Sequence, residues 1–99
     1  MIYMDSAATS LLRPPEVIQA VCEAMQRLGN PGRGAYDASL EAARTVYQAR
    51  KEIGGLFGMD DPSRVAFTAN VTEALNLAIG SLFGPGSHVI TTCLEHNSV

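Results

Sequence analysis

Ninety-nine residues, 46% of them hydrophobic, are enough for one domain with a core. Charged residues make up 17%, below the average of about a quarter, the net charge is −3, and Lys and Arg nowhere cluster. That balance excludes an electrostatic footprint for nucleic acid or an anionic membrane surface. The opening Met1-Ile2-Tyr3-Met4-Asp5 lacks a basic region followed by an apolar one, and no apolar run is long enough to span a bilayer, so a cytoplasmic location is expected.

In chain order, the first helical pattern follows Arg13-Pro14-Pro15: Val17, Ala20, Val21, Ala24, Met25 and Leu28 recur at helical spacing. Pro15 suits the first turn and Gly29 the C′ position, which predicts a helix over about residues 15–28. Gly29-Asn30-Pro31-Gly32-Arg33-Gly34 must then be a loop. Beyond it, Ser39, Ala42, Ala43, Val46, Ala49, Arg50, Ile53, Leu56 and Phe57 trace one face of a longer helix, with Asp37 expected as its N-cap and Gly58 as its stop. Glu41, Arg44, Gln48, Lys51 and Glu52 occupy the outer face.

Arg64-Val65-Ala66-Phe67-Thr68 and His88-Val89-Ile90-Thr91-Thr92 are short runs rich in β-branched and aromatic residues, the pattern of buried strands. Between them Val71, Ala74, Leu75, Ala78, Ile79, Leu82 and Phe83 form the apolar stripe of a helix that Gly84-Pro85-Gly86 ends. The two strands are therefore expected as parallel neighbours joined by a right-handed crossover. Such a β-α-β unit is half of an α/β layer, so further strands and helices are expected beyond Val99.

Two polar features converge at the carboxyl ends of these strands. Asn70-Val71-Thr72-Glu73 reads as a capping box, and a helix N-terminus there offers free N–H groups, positive dipole charge and the Thr72 hydroxyl to a phosphate. Many α/β helices carry such caps with no ligand, so the cap alone leaves both readings open. Thr92-Cys93-Leu94-Glu95-His96-Asn97-Ser98 brings a histidine, a carboxylate and a hydroxyl to the same sheet edge, although a lone His is more commonly a hydrogen-bonded structural residue. Cys93, Glu95 and His96, with His88 nearby, lack a recognised ligand spacing, so no metal site is expected. Cys22 and Cys93, far apart and outside any CxxC spacing, are expected to be buried reduced thiols.

Met4-Asp5-Ser6-Ala7-Ala8-Thr9-Ser10, Asn30-Pro31-Gly32-Arg33-Gly34, Ala49-Arg50, Phe67-Thr68-Ala69-Asn70-Val71-Thr72-Glu73-Ala74-Leu75-Asn76 and Leu94-Glu95-His96-Asn97-Ser98-Val99 occur in this order. Together they resemble the opening of the class V aminotransferases, in particular the branch of cysteine desulfurases and selenocysteine lyase-like proteins, over essentially the whole chain. The resemblance implies the N-terminal part of a fold-type-I, pyridoxal 5′-phosphate-dependent transferase, with a three-layer α/β large domain incomplete here. It implies an N-terminal arm over residues 1–14, a helix and Gly-rich loop over 15–34 packing with the small domain, and the start of the cofactor-binding large domain over 35–99.

By the same resemblance, Val71 and Thr72 match the pair that holds the cofactor phosphate, and His96 matches the histidine that stacks on the pyridine ring and carries protons. Ala7 and Ala8 match a turn near the substrate carboxylate. The implied reaction is removal of sulfur from L-cysteine, giving alanine and an enzyme persulfide. The alternatives are another class V aminotransferase or lyase acting on a small amino acid, or a non-catalytic α/β phosphate-binding or assembly module. A homodimer and a sulfur-acceptor protein are the implied partners. Ser6, Tyr36 and Val71 depart from the residues commoner at those places. The only lysine, Lys51, lies on a polar helix face and does not match the family's cofactor-bonding lysine, so these residues alone are expected to be inactive.

Overall fold

The computed structural model describes residues 2–99. Three α-helices carry its regular structure: α1 over Pro15–Arg27, α2 over Asp37–Leu56 and α3 over Val71–Leu82, with a 3-10 turn at Pro62–Arg64 before α3. Two compact units are present, one ending at Pro62 and the other beginning at Ser63.

In the first unit, α1 starts with Pro15 at its first position, where a missing N–H costs nothing, and ends one residue earlier than the periodicity predicts. Gly29 does stand at C′, but not in the left-handed conformation: Leu28 turns extended at the C-cap, and the Gly29 N–H is carried off to the Ala38 carbonyl at 3.0 Å. The predicted cap of α2 is displaced by one residue. Tyr36 is the N-cap and makes no side-chain capping bond, while Asp37 sits inside the first turn, where its charge still complements the helix dipole. At the other end Gly58 adopts φ +68, its N–H bonds the Gly55 carbonyl at 3.2 Å, and the Met59 N–H bonds the Gly54 carbonyl at 2.8 Å. These are the two bonds of a Schellman motif, and only glycine takes that φ without strain.

The apolar face read along α2 is covered chiefly over its first half. Ser39 and Ala42 are buried and Ala43 and Val46 half-buried, whereas Leu56 and Phe57 are 77% and 73% exposed. The Arg27 guanidinium and the Glu41 carboxylate pair between α1 and α2, an exposed ion pair of small energetic weight. Arg50 is half-buried, and its Nε is sealed from water without an acceptor.

The second unit corrects the expected β-α-β arrangement. Among the described residues there is no strand: Arg64 closes the 3-10 turn, and residues 65–68 and 87–92 carry no regular structure. A strand exists only through the ladder bonds of a neighbour, and β-branched composition expresses a fit to a pleated, covered surface rather than a backbone requirement. Here that surface is absent, since Val65 is buried but Phe67, Val89 and Ile90 are 51%, 52% and 89% exposed. The segment after α3 ends in a turn as predicted: Gly84 and Ser87 close it through an N–H···O bond of 3.0 Å, with Gly86 at φ +89 after Pro85, the pattern of a type II turn.

Candidate functional site

The start of α3 is the best-defined polar arrangement of the second unit. Asn70, extended at the N-cap, accepts the Glu73 N–H on its Oδ1 at 2.9 Å. Glu73 reaches back as a capping box requires, but to the Ala69 N–H, at 2.9 Å, one residue before the cap. The Thr68 hydroxyl donates to the Asn70 carbonyl at 2.8 Å, and the Asn76 amide to the Thr72 carbonyl at 2.8 Å. With those bonds made, the Val71 and Thr72 backbone N–H groups and the Thr72 hydroxyl have no hydrogen-bond partner among the described residues. Three adjacent donors at the positive end of a helix suit an anion with several acceptor oxygens, while the Glu73 carboxylate in the first turn accepts the Ala69 N–H.

The chain's last residues form a hydrogen-bonded turn. Thr92 Oγ1 donates to Glu95 Oε1 at 3.0 Å, the Ser98 N–H donates to His96 Nδ1 at 3.2 Å, and Ser98 Oγ lies 2.8 Å from the same nitrogen. The Val99 N–H returns to the His96 carbonyl at 3.0 Å. Ser98 is buried, whereas His96 is exposed.

In the first unit, Ala7 and Ala8 occupy a turn in which the Ala8 and Thr9 N–H groups donate to the Asp5 carbonyl at 3.1 and 3.3 Å. The Tyr3 hydroxyl shares its proton between the Thr9 and Asp5 carbonyls, at 2.7 and 3.1 Å, so a residue the sequence did not single out clamps the turn. A cavity of about 280 Å³ lies beside it, lined by Tyr3, Ser6, Ser10, Leu11 and Leu12. Ser39 is a second residue whose role the periodicity hid. Read as one more small residue on the face of α2, it is 1% exposed, and its hydroxyl bridges the Asn30 and Gly34 carbonyls at 2.6 and 2.9 Å. The signal for it was a hydroxyl facing a glycine-rich loop whose carbonyls had no other donor.

Val71, Thr72 and His96 thus share the second unit, while Ala7 and Ala8 belong to the first. No hydrogen bond among the described residues links His96 to residues 70–73. Cys22 and Cys93 are free and exposed, which corrects the expectation of buried thiols: one lies on a helix face and the other in a turn that nothing covers. Among the described residues no group of three or more His, Cys, Asp or Glu side chains is arranged to hold a metal ion, and no helix is long and apolar enough to cross a membrane.

Comparison with known proteins decides the family. The family described as Aminotransferase class-V matches residues 2–99. The chain belongs to the class V aminotransferase family. Among its relatives, a probable cysteine desulfurase of Methanothermobacter thermautotrophicus is 34% identical over 99 residues, covering 98% of this chain and 24% of the relative. A probable cysteine desulfurase of Halobacterium salinarum is 33% identical, covering 99% of this chain and 25% of the relative. The cysteine desulfurase IscS of Azotobacter vinelandii is 32% identical, covering 99% and 26%. This class V aminotransferase chain therefore spans about a quarter of the length of the curated relatives it matches. No solved structure matches it.

Proposed function

We propose that these residues are the opening portion of a pyridoxal-phosphate-dependent enzyme that removes sulfur from L-cysteine. The observation that carries the reading is the trio of donors left without partners at the start of α3, the Val71 and Thr72 N–H groups and the Thr72 hydroxyl, in a chain whose relatives are named cysteine desulfurases. These donors fit a phosphate monoester, and in this reading they hold the cofactor's phosphate. The cofactor, once bound, supplies an electron sink for bond cleavage at the amino acid. His96 gives its ring to stacking and a nitrogen to proton transfer, and Ala7 and Ala8, in the turn that Tyr3 clamps, face the substrate carboxylate.

In the same reading segments 65–68 and 87–92 become parallel strands of a fold-type-I α/β sheet once neighbouring strands supply their ladder bonds, with 1–14 as an arm, 15–34 beside the small domain and 35–99 opening the large domain. The exposed apolar stripe of α3 gives that sheet part of its covering layer. The enzyme works as a cytoplasmic homodimer and passes its sulfur to an acceptor protein. Lys51 is the chain's only lysine and takes no part in cofactor bonding.

The test is turnover of L-cysteine by the intact protein that carries these residues, loaded with pyridoxal phosphate. Equimolar alanine and protein-bound sulfane sulfur are expected. An α-keto acid accumulating in place of alanine would transfer the assignment to an aminotransferase, and no reaction with any small amino acid would leave a phosphate-binding module.

A further inference from the structure

Ser98 and His96 form a pair to which the phosphate and stacking roles assign nothing. The Ser98 backbone N–H points at His96 Nδ1 at 3.2 Å, and Ser98 Oγ is 2.8 Å from the same atom. A backbone amide can only donate, so Nδ1 must present its lone pair; a neutral imidazole has one proton, which then resides on Nε2. The hydroxyl donates to that same lone pair. Ser98 is only 6% exposed and cannot turn its hydroxyl freely to water, while the turn is closed behind it by the Val99 N–H on the His96 carbonyl at 3.0 Å. The ring of His96 remains exposed.

We infer that Ser98 is a positioning residue that fixes His96 in its Nε2–H tautomer. The neutral ring therefore meets a bound group as a donor through Nε2, with its lone pair committed inside the protein. The mechanistic meaning of this tautomer rests on the proton-carrying role proposed for His96, but the tautomer itself is a property of the chain without cofactor or substrate.

The experiment is a long-range proton–nitrogen NMR correlation on the 99-residue chain labelled with nitrogen-15 at histidine, recorded at a pH where both rings are neutral. His88, the only other histidine, has no hydrogen bond among the described residues and serves as the reference. For His96 the expected result is a bare Nδ1 and a protonated Nε2, well separated in shift. Ser98→Ala, which removes the hydroxyl but keeps the backbone N–H on Nδ1, should draw the two shifts only part of the way together, and Ser98→Thr, which keeps the hydroxyl, should restore the separation. A wild-type His96 with the averaged pattern of His88 overturns the inference. Should Ser98→Ala fail to fold, the wild-type spectrum alone decides. Because no cofactor is present, failure of phosphate binding at α3 would leave this result untouched.

Discussion

The Glu73 carboxylate accepts the Ala69 N–H at 2.9 Å, one residue before the N-cap rather than at it. The displacement has a consequence for the helix start. Asn70 takes the Glu73 amide and Glu73 takes the Ala69 amide, so of the four N–H groups from Asn70 to Glu73 those of Asn70, Val71 and Thr72 stay available. The Glu73 carboxylate is itself held at the helix start by the Ala69 N–H.

The cap can be tested without any ligand. Asn70→Ala removes the acceptor of the Glu73 N–H and should cost about 1 kcal/mol of stability, equivalent to a fall of about 4–8 °C in Tm for a domain of this size. Thermal unfolding followed by circular dichroism reads this directly. Asn70→Asp keeps the acceptor and should keep the Tm; a loss equal to that of Asn70→Ala would show that the cap does not hold the helix start.

A second prediction concerns the loop between α1 and α2. Ser39→Ala deprives the Asn30 and Gly34 carbonyls of their shared donor in a site that is 1% exposed, which should cost about 1–3 kcal/mol. Amide exchange of residues 29–34 should accelerate at the same time. Unchanged stability with unchanged exchange would mean that the loop is ordered by other contacts.

Tyr36 explains why the loop needs glycine at two places. A Cβ on Gly34 would collide with Tyr36 Cε1, and one on Gly29 would lie 2.9 Å from the Tyr36 hydroxyl oxygen. Gly34→Ala should therefore destabilise the chain in the wild-type background and do so much less in a Tyr36→Ala background. A double-mutant cycle on Tm measures the coupling; additive losses would show that the ring moves aside freely.

Much of this architecture is legible in the residues because it is local. Pro15 marks the start of α1 by lacking an N–H, Gly58 ends α2 through a Schellman pair, and Asn70 caps α3 with its side-chain oxygen, each acting within a few positions in sequence. The expectation of strands at 64–68 and 88–92 rests on β-branched composition, which encodes a preference for a covered sheet and cannot supply the ladder partners, so Ile90 stands 89% exposed in an unpaired segment. The buried thiols failed for the same reason, burial being a property of what surrounds Cys22 and Cys93. The clamps made by Tyr3 and Ser39 reach carbonyls whose freedom no periodicity reveals.

The central claim is that the start of α3 receives a phosphate monoester, and it is tested most directly by titrating the nitrogen-15-labelled chain with pyridoxal phosphate while following backbone amides. The Val71 and Thr72 resonances should move together and saturate. Thr72→Val, which removes one charge-assisted hydrogen bond worth about 1.5–3 kcal/mol, should weaken the binding by about one to two orders of magnitude while leaving helix content unchanged. Amides at Val71 and Thr72 that stay still while the ligand binds elsewhere, or an affinity indifferent to Thr72→Val, would contradict the account.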